Sequence, residues 1–131
     1  MQLLDHVSIS VRDLARGKPF CRALMAELGA REAYDEPRAI ERNALGDDAH
    51  SYLSVFESPD AEPIARRHVC LGAVSARQVR ACFEAGLRAG GTSDGSPALL
   101  PDYHTAYYAA FLLDSEGNRI ELVSHEGDDT R

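Results

Sequence analysis

Three residues stand out because a divalent metal ion takes their side chains as ligands. His6 and His68 offer neutral imidazole nitrogens and Glu121 offers a carboxylate oxygen. Such a set holds an ion while leaving positions open for water or substrate. The two histidines are 62 residues apart and open matching segments, His6-Val7-Ser8-Ile9-Ser10-Val11 and His68-Val69-Cys70-Leu71-Gly72-Ala73. A single strand histidine is more often a hydrogen-bonded structural residue, and a strand glutamate usually faces solvent. Two histidines at the same point of a repeated unit weigh against that plainer reading. A second group is Pro101-Asp102-Tyr103-His104-Thr105-Ala106-Tyr107-Tyr108. Within it Tyr103 and His104 are the catalytic candidates, as a hydrogen-bond donor and a general acid or base near neutral pH. The plainer alternative packs Tyr107 or Tyr108 in the core with its hydroxyl at the rim. Neighbours alternate along a strand, so one of that pair faces away from any pocket. His50 and His125 read as surface residues, and the acidic tail with Glu126, Asp128 and Asp129 as solvated.

The elements that must carry these residues follow from periodicity. Val7, Ile9 and Val11 point one way, as do Val69, Leu71 and Ala73, which marks two strands with one face on a core. His6 and His68 fall on the opposite faces. Glu121, in Arg119-Ile120-Glu121-Leu122-Val123, likewise faces away from its apolar neighbours. Each first strand is followed by a helix. Phe20, Cys21, Leu24, Met25 and Leu28 recur at helical spacing before the stop at Gly29. Asp13 could cap this helix, but Pro19 would then lie inside it, so an irregular or late start is expected. Ser75-Ala76-Arg77-Gln78 has the form of a capping box ahead of Val79, Cys82, Phe83 and Leu87, with Gly90-Gly91 at the end. Superposing His6 on His68 also matches Val7 with Val69, Ala23 with Ala85 and Gly29 with Gly91. The repeated order of elements is the stronger sign of duplication.

Short strands are expected near 30–35, 39–45 and 51–57, then near 91–94, 106–113 and 119–124, with Asp114-Ser115-Glu116-Gly117-Asn118 as a hairpin turn. Residues 95–103, with Pro97 and Pro101, read as an irregular loop. The chain therefore divides into a first module of about 1–57, a linker of about 58–66, a second module of about 67–125 and a frayed tail, 126–131. The expected class is α+β, two βαβββ modules in a single domain. Three ligands on separate strands of one curved sheet could converge on its concave side; spacing alone leaves this open.

The 131 residues carry 14 Lys+Arg against 21 Asp+Glu, a net charge of −7, with 44% hydrophobic and 27% charged residues. This is a globular balance with ample material for a core. The acidic surplus argues against nucleic acid, which demands a concentrated basic surface. No apolar run approaches the roughly 20 residues that span a bilayer, and Asp5 comes too early for a signal peptide. Cys21, Cys70 and Cys82 lack C-x-x-C spacing and read as small buried residues of a reducing compartment, which points to the cytoplasm.

His6-Val7, His68-Val69 and the run Leu113-Asp114-Ser115-Glu116-Gly117-Asn118-Arg119-Ile120-Glu121-Leu122 together resemble the vicinal oxygen chelate superfamily. It includes glyoxalase I, bleomycin-resistance proteins, fosfomycin-resistance enzymes and extradiol dioxygenases. The resemblance runs from Leu3 to about His125. It implies paired βαβββ modules forming one open, cup-shaped mixed sheet with flanking helices, commonly assembled as homodimers. It also implies that His6, His68 and Glu121 are metal-ligand positions for Fe, Mn, Co, Ni or Zn. The substrate would be a small molecule with vicinal oxygens, in a reaction of lyase, isomerase, dioxygenase or transferase type. One departure bears on that choice. Metal-binding glyoxalase I has a further glutamate on the last strand of the first module, where this chain aligns Ser54. Glu57 lies three residues on and faces the other side unless a bulge returns it. The remaining two-His-one-carboxylate set is similar to that of extradiol dioxygenases and fosfomycin-type transferases. The alternative is a non-catalytic ligand binder of bleomycin-resistance type, for which the net charge would suit a cationic ligand.

Overall fold

A computed structural model describes residues 5–37, 39–43, 51–63 and 68–129. The chain runs β1 (His6–Val11), α1 (Leu14–Glu27), β2 (Arg31–Glu36), β3 (Ala39–Asn43), β4 (Tyr52–Glu57), β5 (Val69–Gly72), α2 (Ala76–Arg88), β6 (Thr92–Leu99), β7 (Tyr108–Leu113) and β8 (Arg119–Ser124). The strands form two four-stranded sheets of the same order, β1-β4-β3-β2 and β5-β8-β7-β6. In each, the first strand pairs parallel with the last and the remaining pairs are antiparallel. The fold is α+β, built of two βαβββ modules whose mixed sheets do not close. Among the described residues no helix is long and apolar enough to cross a membrane.

Alternation decides what each strand buries. Ile9 and Val11 of β1 join Leu53 and Val55 of β4 beneath Leu14, Cys21 and Met25 of α1. Ile120 and Leu122 of β8 join Tyr108, Ala110 and Leu112 of β7 beneath Val79, Cys82 and Phe83 of α2. Leu28, Val69 and Leu71 pack against both groups and so fuse the modules. The helices meet directly. Gly86 of α2 permits this, since a Cβ there would lie 2.7 Å from Leu112 Cδ1 and 2.9 Å from Leu24 Cδ2.

Three expectations are corrected. Helix α1 starts at Leu14 with Pro19 inside it, not late or irregularly. Its free N–H groups draw on three carboxylates. Asp13 accepts from Arg16 N at 3.1 Å, Glu57 from Leu14 N at 3.1 Å, and Glu116 from Arg12 N and Asp13 N at 2.6 and 2.8 Å. That support, with negative charge at the positive end of the helix dipole, offsets the bond that proline forfeits. Residues 92–99, read mostly as loop, form the eight-residue strand β6. Pro97 is tolerated because β6 is an edge strand whose register shifts on either side of Gly95. The tail through Asp129 is docked, as Asp129 bonds Arg80 Nη2 at 2.7 Å and Arg77 N at 3.0 Å. Expected strand residues 44 and 45, linker residues 64–66 and His50 lie outside the described residues.

Helix α2 follows its signals more closely. Ser75 accepts from Gln78 N at 3.1 Å, and Gln78 Oε1 accepts from Val74 N at 2.8 Å. The Asp114–Asn118 turn is equally well made. Asp114 Oδ1 accepts from Glu116 N and Asn118 N at 2.9 and 2.8 Å, and Oδ2 accepts from Asn118 Nδ2 at 2.8 Å. Gly117 supplies the positive φ of 87°. Both Asp114 and Asn118 are buried. Asp114→Ala strands three donors, two of them buried, and is expected to cost about 2–4 kcal/mol. Urea unfolding with an unchanged slope is the check.

Candidate active site

Glu121 sits in the middle of β8, in register with Cys70 of β5 and Phe111 of β7. Because Ile120 and Leu122 turn into the core, its carboxylate emerges on the sheet face away from the helices. It is nevertheless only 4% exposed. A buried carboxylate has to be satisfied by donors, and three groups converge on it. His68, just ahead of β5, places Nε2 2.7 Å from Oε1. The Tyr107 hydroxyl donates to Oε2. Cys70, two residues past His68 on the same face and paired with Glu121 across the strands, sets its thiol beside the carboxylate. Phe111 meets the His68 ring edge-on, with centroids 6.3 Å apart.

Removal from water pushes the Cys70 thiol up to about 12, with the Glu121 charge and the hydrogen bond to it adding to the effect. The Tyr107 phenol is raised as well, first by burial, then by its hydrogen bond to Glu121 and by the Glu121 charge. Both therefore remain protonated donors at neutral pH. Cys70 is the exposed one of three free cysteines, yet at pH 8 its thiolate is scarce. Glu121→Gln removes the opposing charge, so iodoacetamide labelling of Cys70 should accelerate roughly 10-fold or more, read by mass spectrometry.

The sequence candidates are distributed as follows. His68 and Glu121 are in direct contact. His6 is not with them: its exposed ring lies 2.8 Å from Asp5 Oδ1. It lines a cleft of about 210 Å³ with Met25 and Leu28 of α1, Tyr52, and Val69–Gly72 of β5. His68 lines a different hollow, with Ser8 and Ser10 further along β1. Among the described residues no three His, Cys, Asp or Glu side chains are grouped to hold a metal ion. Tyr103 is 72% exposed and stands against Tyr107, ring centroids 5.2 Å apart. His104 spends Nδ1 on Ala106 N at 3.1 Å, and its ring meets His125 at 6.2 Å. His125, read as a surface residue, also packs edge-on against Tyr107 at 5.4 Å.

The two modules give their last strands unequal residues. Glu121 pairs with Cys70, two residues past His68, while Ser54 pairs with Ser8, two residues past His6. Ser54 is therefore the positional counterpart of Glu121. Strands β1 and β4 pair residue for residue from His6 to Val11, without a bulge. Glu57 is thus kept on the helix side, where it caps Leu14 N.

Tyr107 and Cys70 are the contact residues that sequence reasoning missed. The signal for Tyr107 was present: a core role for Tyr108, with Ala110 and Leu112, sends its neighbour to the other face. For Cys70 it was the two-residue step from His68.

No family model matches the chain, and no curated protein does. Solved structures do share its fold. A glyoxalase/bleomycin resistance protein from Albidiferax ferrireducens T118 is 23% identical, with a TM-score of 0.78, covering 94% of this chain and 98% of that one. A glyoxalase/bleomycin resistance protein/dioxygenase family enzyme from Burkholderia phytofirmans PsJN is 17% identical, with a TM-score of 0.68, covering 92% and 96%. A glyoxalase-related enzyme from Fulvimarina pelagi is 14% identical, with a TM-score of 0.69, covering 95% and 88%.

Proposed function

We propose that this chain, which has the vicinal oxygen chelate fold, is a metal-dependent enzyme acting on a small substrate with vicinal oxygens. The observation that carries the reading is the buried Glu121 carboxylate in contact with His68 on the sheet face away from the helices. An imidazole nitrogen and a carboxylate oxygen are the donor types that a divalent first-row ion takes, and here they are already in contact with each other. His68 and Glu121 would hold it, and His6, exposed at the neighbouring edge of β1, is the third ligand in this reading. Fe, Mn, Co, Ni and Zn all suit such a set. When bound, the ion supplies Lewis acidity toward two neighbouring substrate oxygens.

The chain's own residues do the rest. Phe111 holds the His68 ring edge-on. Tyr107 keeps its proton and presents it at Glu121 Oε2, so it can steady negative charge there. Tyr103 and His104 are the catalytic candidates of this reading, as a hydrogen-bond donor beside Tyr107 and as a general acid or base. Ser54 offers no carboxylate opposite Glu121, so a glyoxalase-type proton abstraction has no base from β4. That favours the dioxygenase or transferase branch. A homodimer in the cytoplasm belongs to the same proposal and is checked by sedimentation and fractionation.

Metal content after reconstitution tests the reading. About one ion per chain is expected for the wild type, less for His6→Ala and none for His68→Ala. A wild type that takes up no ion, but is stabilised against heat by small organic cations, would establish the non-catalytic binder instead.

A further inference from the structure

The segment after β8 turns back across the tyrosine-bearing loop. Gly127, at a φ of +75°, reverses the chain so that its N–H donates to Ala106 O at 2.9 Å. Two residues on, Asp129 takes Arg80 Nη2 at 2.7 Å and Arg77 N at 3.0 Å, while Asp128 lies 3.5 Å from Arg80 Nη1. The same guanidinium donates to the Tyr108 hydroxyl at 3.4 Å and lies 5.7 Å from that ring's centroid. Residues on both sides of Tyr107 are thus held from one source, Ala106 through Gly127 and Tyr108 through Arg80. His125 adds the third hold, packing its ring edge-on against Tyr107 itself.

We infer that the segment His125–Asp129 is part of the site. His125 is a positioning residue that keeps the Tyr107 phenol on Glu121, and Arg80 is the anchor for the segment. The inference deepens the reading of Glu121 as the centre of the site, but it does not depend on a metal. Geometry gives it direction. A tyrosine hydroxyl reaches a fixed acceptor from one ring orientation, and His125 meets the Tyr107 ring at 78° from a segment tied down on either side, at Ser124 of β8 and at Gly127. Arg80 is half-buried and its partner Asp129 exposed, and pairs at the surface are weak and screened by salt. The hold on Tyr107 is therefore adjustable from outside the site.

The test is ¹⁹F NMR of metal-free protein containing 3-fluorotyrosine, with the Tyr107 resonance identified by its loss in Tyr107→Phe. His125→Ala and Arg80→Ala should each move that resonance toward its position in Glu121→Ala, where the acceptor is gone. His125→Phe, which restores a ring, should return it. In the unmutated protein, raising NaCl to about 1 M should move it the same way, because screening then reaches within roughly 3 Å. A Tyr107 resonance unmoved in both alanine variants overturns the inference. Should either fail to fold, a resonance that ignores salt in the unmutated protein overturns it as well. Failure to bind metal would leave this result standing, and an unmoved resonance would leave metal uptake standing.

Discussion

Glu121→Gln is expected to lower affinity for a divalent ion by more than roughly 100-fold, beyond the 10–100-fold typical of losing an outer partner. The substitution keeps the shape and one acceptor oxygen for the Tyr107 hydroxyl, so the fold should survive. What it removes is the negative charge, on the residue that His68, Tyr107 and Cys70 all address. Tyr107→Phe is the matched comparison. It leaves the charge and deletes one donor to Oε2, so its cost should fall near 10-fold. Competition with a chelator at fixed pH measures both, and circular dichroism checks the fold. Equal losses in the two variants would mean that the Glu121 charge is not what holds the ion.

Gly86→Val is expected to destabilise the fold through the contact between the two helices. Its first side-chain carbon alone would sit 2.7 Å from Leu112 Cδ1, 2.9 Å from Leu24 Cδ2 and 3.3 Å from Phe20 Cε2. Those neighbours belong to β7 and α1, and all are buried. Relief in one direction therefore creates a clash in another. Overpacking of this sort costs about 3 kcal/mol, which at this chain length lowers the melting temperature by roughly 10 °C. Calorimetry reads it directly. Adding Leu112→Ala opens space on one side, so the double variant should lose less than the sum of the two changes. A melting temperature within about 2 °C of the wild type would show that the helices part at little cost.

Sequence patterning located what depends on local rules. Alternation put Ile9, Val11, Ile120 and Leu122 inward and Glu121 outward. Ser75 and Gln78 marked the start of α2, and the Asp114–Asn118 turn was legible from its residue types. What it could not supply depends on contacts distant in sequence. Pro19 sits in a regular helix because Glu116, 103 residues beyond Asp13, accepts that residue's N–H. Pro97 sits in a strand because β6 lies at a sheet edge, which no single segment discloses. Period two assigns His6 a face of β1 but not a place along the seam. There His6 lines the cleft at β5 while His68 lines the hollow beside Ser8 and Ser10. Tyr107 rather than Tyr103 reaches Glu121 because the intervening turn is tied by Tyr103 N to Leu100 O and Tyr107 N to His104 O.

The caps on the two helices also carry an inequality between the halves of the chain. Helix α1 borrows at both ends from the second half: Glu116 closes its start, and Gln78 Nε2 donates to Glu27 O at 2.9 Å near its finish. Helix α2 draws its corresponding bonds from Ser75, Gln78 and Asp129, all in the second half. The duplicated units are thus host and dependant. Cut apart, the second half would keep the bonds at the start of its helix, while the first would keep Asp13 and Glu57 but lose Glu116 and the Gln78 bond, so the half-chain from residue 68 onward should retain the more order.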